Sequence, residues 1–321
     1  MNNEIITNRM ELCDIDEAIN LWENQVKYFN SEKTIYPFWE NKNKSIEMYL
    51  KSAVSNDNAF TAKQNGKLVG FITCDIFDFH GALSAICHFI GNAATIDNRN
   101  QIYLALYNIL CRHCVSKGSL SHYISICPDD LEIRELLFNL GFGAYGADAF
   151  AQFNQSMSFI SGYDIGLAVI SDAKEIFEIR KEEDEYFLSS PIYLRLPPCS
   201  LERIEEKIKQ NSVYVAKDNG KVVGIWDLEM AESEDIYRLY PKGSAVVCGE
   251  IGAYIKEEYR GKNIGSDFIK IVADFCIKNN IVCAHVPWET FNPYANRFWR
   301  KFFTPACLAL KRTIHPDAIK I

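Results

Sequence analysis

The sequence predicts an α/β protein built as two tandem domains, residues 1–157 and 158–321. Three observations predict this. Strand-like and helix-like stretches alternate along the chain. A β-hairpin signal in the first half recurs almost residue for residue 154 positions later, from Gly66 to Gly220. Farther on the offset becomes 161: Cys87-His-Phe-Ile90-Gly91 pairs with Cys248-Gly-Glu-Ile251-Gly252, Arg99 with Arg260, and Phe142 with Phe303. Internal repetition of this kind points to duplication of one folding unit. The change of offset by seven places an insertion between about Met230 and Gly243.

In the first half, Asp14-Ile15-Asp16 reads as a helix start before Ala18, Ile19, Trp22 and Val26. A second helix covers Ser45 to Val54. Asn65-Gly66, between the β-prone runs that begin at Phe60 and end at Ile72, is a hairpin turn. Ser84 to Ile90 reads as a strand, Arg99 to Cys114 as a helix and His122 to Cys127 as a strand. Leu131 to Leu140 reads as a helix stopped by Gly141. A polar run between residues 154 and 162 marks the boundary. The second half repeats the order. Ser171-Asp172 opens a helix running through Ile176 and Ile179 to Phe187, and Leu201 to Lys209 forms another. Tyr214 to Trp226 is the second hairpin, turning at Asn219-Gly220.

Composition bounds the function. The chain has 321 residues, of which 48% are hydrophobic and 13% aromatic, enough for two cores. A net charge of −8 and a pI near 5.4 argue against a nucleic-acid partner. No run of 18 apolar residues occurs, so no membrane partner is expected, and the N-terminus lacks a basic-then-apolar signal segment. A cytoplasmic protein follows. The eleven cysteines are scattered through apolar stretches, as reduced, packed cysteines are. Cys111 and Cys114 form a close pair with no second pair at matching spacing, so no metal is expected.

The chemistry concentrates between Ala245 and Asn280. Val246, Val247, Ile251 and Ile255 suit a buried strand. Arg260-Gly261-Lys262-Asn263-Ile264-Gly265-Ser266 follows as a basic turn. Then Ile264, Phe268, Ile271, Val272, Phe275 and Cys276 recur at helical spacing up to Asn279-Asn280. Glycines and a helix N-terminus together suit an anion, whose charge meets unpaired N–H groups and the positive end of the helix dipole. The same residues also suit a plain surface turn. Within this turn neither GxxxxGK[ST] nor GxGxxG is present.

With its flanks, this stretch resembles motif A of the GNAT superfamily, the acyl-CoA-dependent N-acetyltransferases, whose pattern is R/Q-x-x-G-x-G/A. Asn263 stands where the family usually has its first glycine. The resemblance implies two tandem GNAT-like domains, each a mixed, mostly antiparallel sheet flanked by helices. It implies that acetyl-CoA is the acyl donor. The pyrophosphate would rest on the backbone of Arg260, Gly261, Lys262, Asn263, Ile264, Gly265 and Ser266, and the pantetheine arm would pair with Ala253, Tyr254 and Ile255. In the first half Asn100 and Leu104 replace the two glycines and Gln101 replaces Lys262. That half reads as a degenerate domain without the coenzyme site.

The segment His285 to Trp299 resembles the family's strand five and following helix, N-x-x-A-x-x-[FL]-Y. Asn292, Ala295 and Phe298 fit, and Asn292 would contact coenzyme A. Trp299 stands where the family's proton-donating tyrosine belongs, leaving Tyr294 or water as substitutes. Transfer to an amine needs a proton acceptor. Glu289, just after strand five, is the expected base. Glu250 is a second candidate, but strand parity sets it opposite Ile251. His285 reads as a packed histidine. Glu232, Glu234 and Asp235, in the insertion, either face a cationic acceptor or form a solvated loop. The expected activity is direct acetyl transfer to a primary amine of a small molecule or peptide, by a monomer or homodimer. The alternative is a non-catalytic acyl-CoA-binding or regulatory protein.

Overall fold

The computed structural model describes residues 4–29, 42–158 and 161–320. In chain order the elements are β1 (Ile5–Arg9), α1 (Ile15–Phe29), α2 (Lys42–Ser55), β2 (Ala59–Gln64), β3 (Lys67–Thr73), β4 (Asp75–Phe79), β5 (Ala82–Cys87), β6 (Asn92–Ala94), α3 (Arg99–Ser116), β7 (Ser121–Ile126), α4 (Leu131–Asn139) and β8 (Gly143–Ala151). They continue as β9 (Asp164–Leu167), α5 (Ala173–Leu188), α6 (Leu201–Lys209), β10 (Val213–Asp218), β11 (Lys221–Met230), β12 (Ala245–Val247), β13 (Ala253–Ile255), α7 (Ile264–Lys278), β14 (Ala284–Glu289), α8 (Pro293–Trp299) and β15 (Thr304–Thr313). The result is a mixed α/β fold.

Two compact units form. Unit 1 holds Met1–Ala147, Ile236–Leu239 and Pro305–Ile321; unit 2 holds Asp148–Asp235 and Tyr240–Thr304. They differ from the contiguous halves 1–157 and 158–321 because β15 pairs antiparallel with β7, Leu308 opposite Ile126 through Thr313 opposite Ser121. Residues 159 and 160, within the expected boundary run, lie outside the described residues.

In unit 1, β1-β2-β3-β6 form one antiparallel sheet, while β4, β5, β7 and β15 are neighbours in order, β5 and β7 running parallel. Both hairpins turn as expected. Asn65 (φ 52°) and Gly66 (φ 78°) join β2 to β3, and Asn219 (φ 48°) and Gly220 (φ 80°) join β10 to β11. Two successive positive φ angles are what a two-residue hairpin turn requires. Helix α3 covers its sheet with Ile102, Leu106 and Leu110, which pack among Phe60, Ile72, Ile124 and Ile126.

In unit 2 the strands run β9-β10-β11-β12-β14, with β13 also on β11. Strands β12 and β14 are parallel, Val246 opposite His285, and the other pairs are antiparallel. Ile176 and Ile179 of α5 and Ile204 and Ile208 of α6 bury against Val213, Val215, Val222 and Ile225. On α7 the buried stripe is Ile264, Phe268, Ile269, Val272, Ala273 and Cys276. Ile271 and Phe275, expected on that face, are half-buried at its edge. No described helix is long and apolar enough to cross a membrane.

Candidate active site

The expected strand from Val246 to Ile255 is broken. Strand β12 ends at Val247 and β13 begins at Ala253, with Cys248 (φ 58°) and Gly252 (φ 88°) in left-handed conformations between them. Asp227 of β11 holds the break open. Its Oδ2 accepts the backbone N–H groups of Glu250 (2.7 Å) and Ile251 (2.9 Å). Strand β14 pairs with β12, whereas β13 pairs with β11, so among the described residues the outer edge of β13 has no strand partner. Backbone groups alternate between the two edges of a strand. Lys256 N–H on Val223 and Asp227 N–H on Gly252 place the bonds toward β11 at even-numbered residues. The N–H and C=O groups of Ala253 and Ile255 therefore face the open edge.

Beyond β13 lies the basic turn. Gly261 (φ 76°) and Asn263 (φ 66°) are both left-handed, and Asn263 is the residue preceding α7. Its side chain does not cap the helix, so the first N–H groups, at Ile264, Gly265 and Ser266, receive no side-chain acceptor there. A Cβ on Gly261 would meet nothing within 4 Å, so this glycine answers to backbone geometry alone. Gly265 also packs closely against α8. A Cβ there would stand 3.0 Å from the Phe298 ring, so Gly265 makes room for α8. Arg260 donates from Nε to the Ile255 carbonyl (3.1 Å). Its guanidinium lies 4.7, 5.2 and 5.7 Å from the ring centres of Tyr186, Tyr254 and Tyr294. Lys262 lies over the Tyr259 ring at 4.8 Å.

The carboxylates separate clearly. Glu250 is exposed and paired with Arg203 of α6, Oε1 to Nε at 2.7 Å and Oε2 to Nη2 at 2.6 Å. The parity argument against Glu250 presumed a continuous strand, which the break removes. The ion pair is what takes Glu250 away from the site, and Arg203 holds its carboxyl below the usual range. Glu289 closes β14, and burial raises its carboxyl. Sequence reasoning missed Glu183 of α5. It is 4% exposed and lies on the same helix face as Ile176, Ile179 and Phe187. A Cβ on Gly252 would come within 3.1 and 3.2 Å of its two oxygens, so the carboxylate lies directly on the strand break. Burial pushes it up to about 7, against the pull of Arg180; the charges of Asp184 and Glu289 raise it further, and the Ala253 N–H bond lowers it. The signal was present in the sequence, since a glutamate four residues from both Ile179 and Phe187 sits on the apolar stripe.

Residues 173–303 match the family model described as "Acetyltransferase (GNAT) family". This stretch is a GNAT domain. No curated protein matches the sequence. Two solved structures share the fold at low identity. One is a GCN5-related N-acetyltransferase from Sphaerobacter thermophilus, with a TM-score of 0.62 and 12% identity over 97% of this chain and 96% of that one. The other is the glucosamine N-acetyltransferase region of a fungal multi-domain GH3 β-N-acetylglucosaminidase, with a TM-score of 0.56 and 13% identity over 97% of this chain. The present chain spans 38% of that fungal protein's length.

Within the GNAT domain, Trp299 is core. Its ring packs against Phe298, Trp226 and Phe303 at 5.0, 5.1 and 5.7 Å. Asn292, expected at the coenzyme, is the N-cap of α8. Its Oδ1 accepts the Ala295 N–H (3.3 Å) and the Tyr186 hydroxyl (3.0 Å), so that oxygen is already committed. His285 is fully buried, with Nε2 2.9 Å from Asp148. Glu232 of the insertion is exposed, and Asp235 is bridged to Tyr240.

Unit 1 repeats the split strand but not the turn. Strand β5 pairs with β7 and β6 with β3, yet only residues 95–98 join β6 to α3, against 256–263 between β13 and α7. Asn98 (φ 56°) thus occupies the place of Asn263, and Arg99 is the first residue of α3 rather than the counterpart of Arg260. Asn100, Gln101 and Leu104 are helical residues lining a surface pocket with Glu132 and Glu135 of α4. Arg99 is buried. Its Nη2 meets Asp130 Oδ2 and Gln25 Oε1, both at 2.6 Å, and its Nη1 donates to the Ala94 carbonyl.

Proposed function

We propose that the protein is an N-acetyltransferase that moves the acetyl group of acetyl-CoA directly to a primary amine of a small molecule or peptide, with one coenzyme site, in the second GNAT domain. The observation that carries this reading is the uncapped N-terminus of α7 behind the left-handed Gly261 and Asn263, next to the open edge of β13. Pyrophosphate oxygens would accept from the Ile264, Gly265 and Ser266 N–H groups. Pantetheine amides would bond the Ala253 carbonyl and the Ile255 N–H, since Glu183 takes the Ala253 N–H and Arg260 the Ile255 carbonyl, with the Tyr254 backbone turned toward β11. Lys262 and Arg260 would supply positive charge, Arg260 by leaving or sharing its tyrosine rings. In unit 1 the short 95–98 connection and the acidic residues Glu132 and Glu135 argue against a second site.

Coenzyme A titrated calorimetrically into the whole chain should bind at one site. Gly261→Val forces a β-branched residue to a φ of 76°, at a cost of about 1–3 kcal/mol. The turn should then open, and coenzyme affinity should fall tenfold or more, comparable to losing one charge-assisted bond of roughly 1.5–3 kcal/mol. Gly265→Val should instead displace Phe298 and unsettle α8. Two equivalent sites, or full affinity in Gly261→Val, would refute this placement. Mass spectrometry of amino acids, polyamines, aminoglycosides and peptides incubated with acetyl-CoA tests the reaction. The second reading, an acyl-CoA-binding protein without catalysis, is favoured by Trp299 in the core at the tyrosine's place. It predicts one tight coenzyme site and no acetylated amine.

A further inference from the structure

We infer that Glu183, set on the strand break, takes the proton from an acceptor that arrives as a positively charged primary alkylammonium. This deepens the proposed function and rests on it. Three features of geometry support it. Glu183 comes from a helix yet lies over Gly252, where a Cβ would come within 3.1 Å of its carboxylate. This is the point at which β13 separates from β12 and its edge opens. Its Oε2 is buried and accepts no hydrogen bond, and the nearest cation, Arg180 Nη1, is 3.5 Å away and already bound to Asp184. A buried carboxylate oxygen without a donor is costly and is satisfied by one that arrives with a ligand.

The surroundings fix the sign of that donor. The groups facing Glu183 are Arg180 and Asp184 on its own helix, Glu289 from β14, Cys248 in the break and Tyr254 on β13. Cys248 is neutral, because burial and the nearby carboxylates push its thiol well up. Tyr254 is neutral as well, its hydroxyl raised chiefly by burial. The charge of Glu289 raises Glu183 further, and an ammonium beside Glu183 relieves that repulsion.

The proton balance is complete. Carboxylate Glu183 takes one proton from R–NH₃⁺, which frees the nitrogen lone pair. That pair attacks the thioester carbonyl carbon, the C–S bond breaks, and its electron pair leaves on sulfur. The second nitrogen proton passes to the thiolate, which gives the amide and free coenzyme A. Glu183 returns its proton to water. A base near neutrality suits such a step, since it is ionised at working pH and still holds a proton well enough to remove it.

Two measurements test this on the intact chain. Carboxyl ¹³C shifts of glutamate-labelled protein should show a group titrating near 7 that Glu183→Gln removes and Glu289→Gln moves downward. Thiol release from acetyl-CoA with butylamine as probe should rise with pH to half its maximum near 7. Glu183→Gln should lower kcat about 10²-fold, abolish that limb and leave coenzyme A affinity within twofold. Glu183→Asp should recover part of the rate with the limb retained. Glu183 titrating in the ordinary carboxylate range overturns the inference whether or not butylamine reacts. So does an unchanged rate and pH profile in Glu183→Gln. Failure of the wild type to bind coenzyme A would overturn the proposed function instead, and the ¹³C titration would still decide the state of Glu183.

Discussion

Replacing Arg99 with methionine should destabilise the protein by about 3–5 kcal/mol, the usual loss when one partner of a buried ion pair is removed. Arg99 and Asp130 are 1% and 2% exposed. The guanidinium donates to Asp130, Gln25 and the Ala94 carbonyl, tying α3 to α1, β6 and the start of α4. Methionine fills a similar volume but leaves the Asp130 charge buried with no cation. Asp130 also caps α4 by accepting the Ile133 N–H at 3.1 Å, so it cannot simply turn away. The double variant Arg99→Met/Asp130→Asn removes the charge and keeps an oxygen for the cap, and it should regain a large part of the loss. Urea unfolding followed by circular dichroism gives both numbers. A loss below about 1 kcal/mol in the single variant would mean that the pair contributes little beyond filling space.

Asp227→Ala should have the second large effect, about 2–5 kcal/mol, with loss of acetyl transfer. One carboxylate oxygen satisfies two backbone N–H groups of the strand break, and each buried donor left without a partner costs about 1–3 kcal/mol. Closure of the break would also displace Gly252 from beneath Glu183. Asp227→Asn retains an accepting oxygen and should lose far less. The comparison also carries a pH signature. Burial raises the Asp227 carboxyl above its ordinary value, so the folded state binds that proton more tightly than the unfolded state does. The wild type should therefore lose stability as pH climbs from the ordinary carboxylate range to the raised value, and Asp227→Asn should lose that dependence. Denaturation midpoints across that interval measure it. An alanine variant as stable as wild type would show that the break is held by something other than Asp227.

Much of the molecule was legible because its causes are local. Asn65-Gly66 and Asn219-Gly220 dictate their own turns through positive φ, so both hairpins follow from two residues each. The helix Leu201–Lys209 follows from Ser200, whose hydroxyl accepts the Arg203 N–H at 3.2 Å, and from Ile204 and Ile208 one turn apart. The basic turn was legible because glycine and asparagine tolerate left-handed backbone, and both Gly261 and Asn263 adopt it.

The failures have causes far away in the chain. Cys248 takes a left-handed φ that its side chain does not favour, and it does so because Asp227, 21 residues earlier, binds the N–H groups of Glu250 and Ile251. Glu250 is removed from the site by Arg203, 47 residues away. The repeat spacing aligned Arg99 with Arg260, but the connection before α3 is shorter, so the same residue type became a buried strut in one unit and lies over three tyrosine rings in the other. By itself, then, the sequence determined the repeated α/β plan, the hairpins and the basic turn before α7, all set by backbone preference and hydrophobic period within a few residues. Only the tertiary structure decided that β15 joins β7, that the strand breaks at Cys248 and that Glu183 is the carboxylate lying on that break. Those outcomes depend on which distant groups satisfy a buried N–H or a buried charge, and no local pattern encodes that pairing.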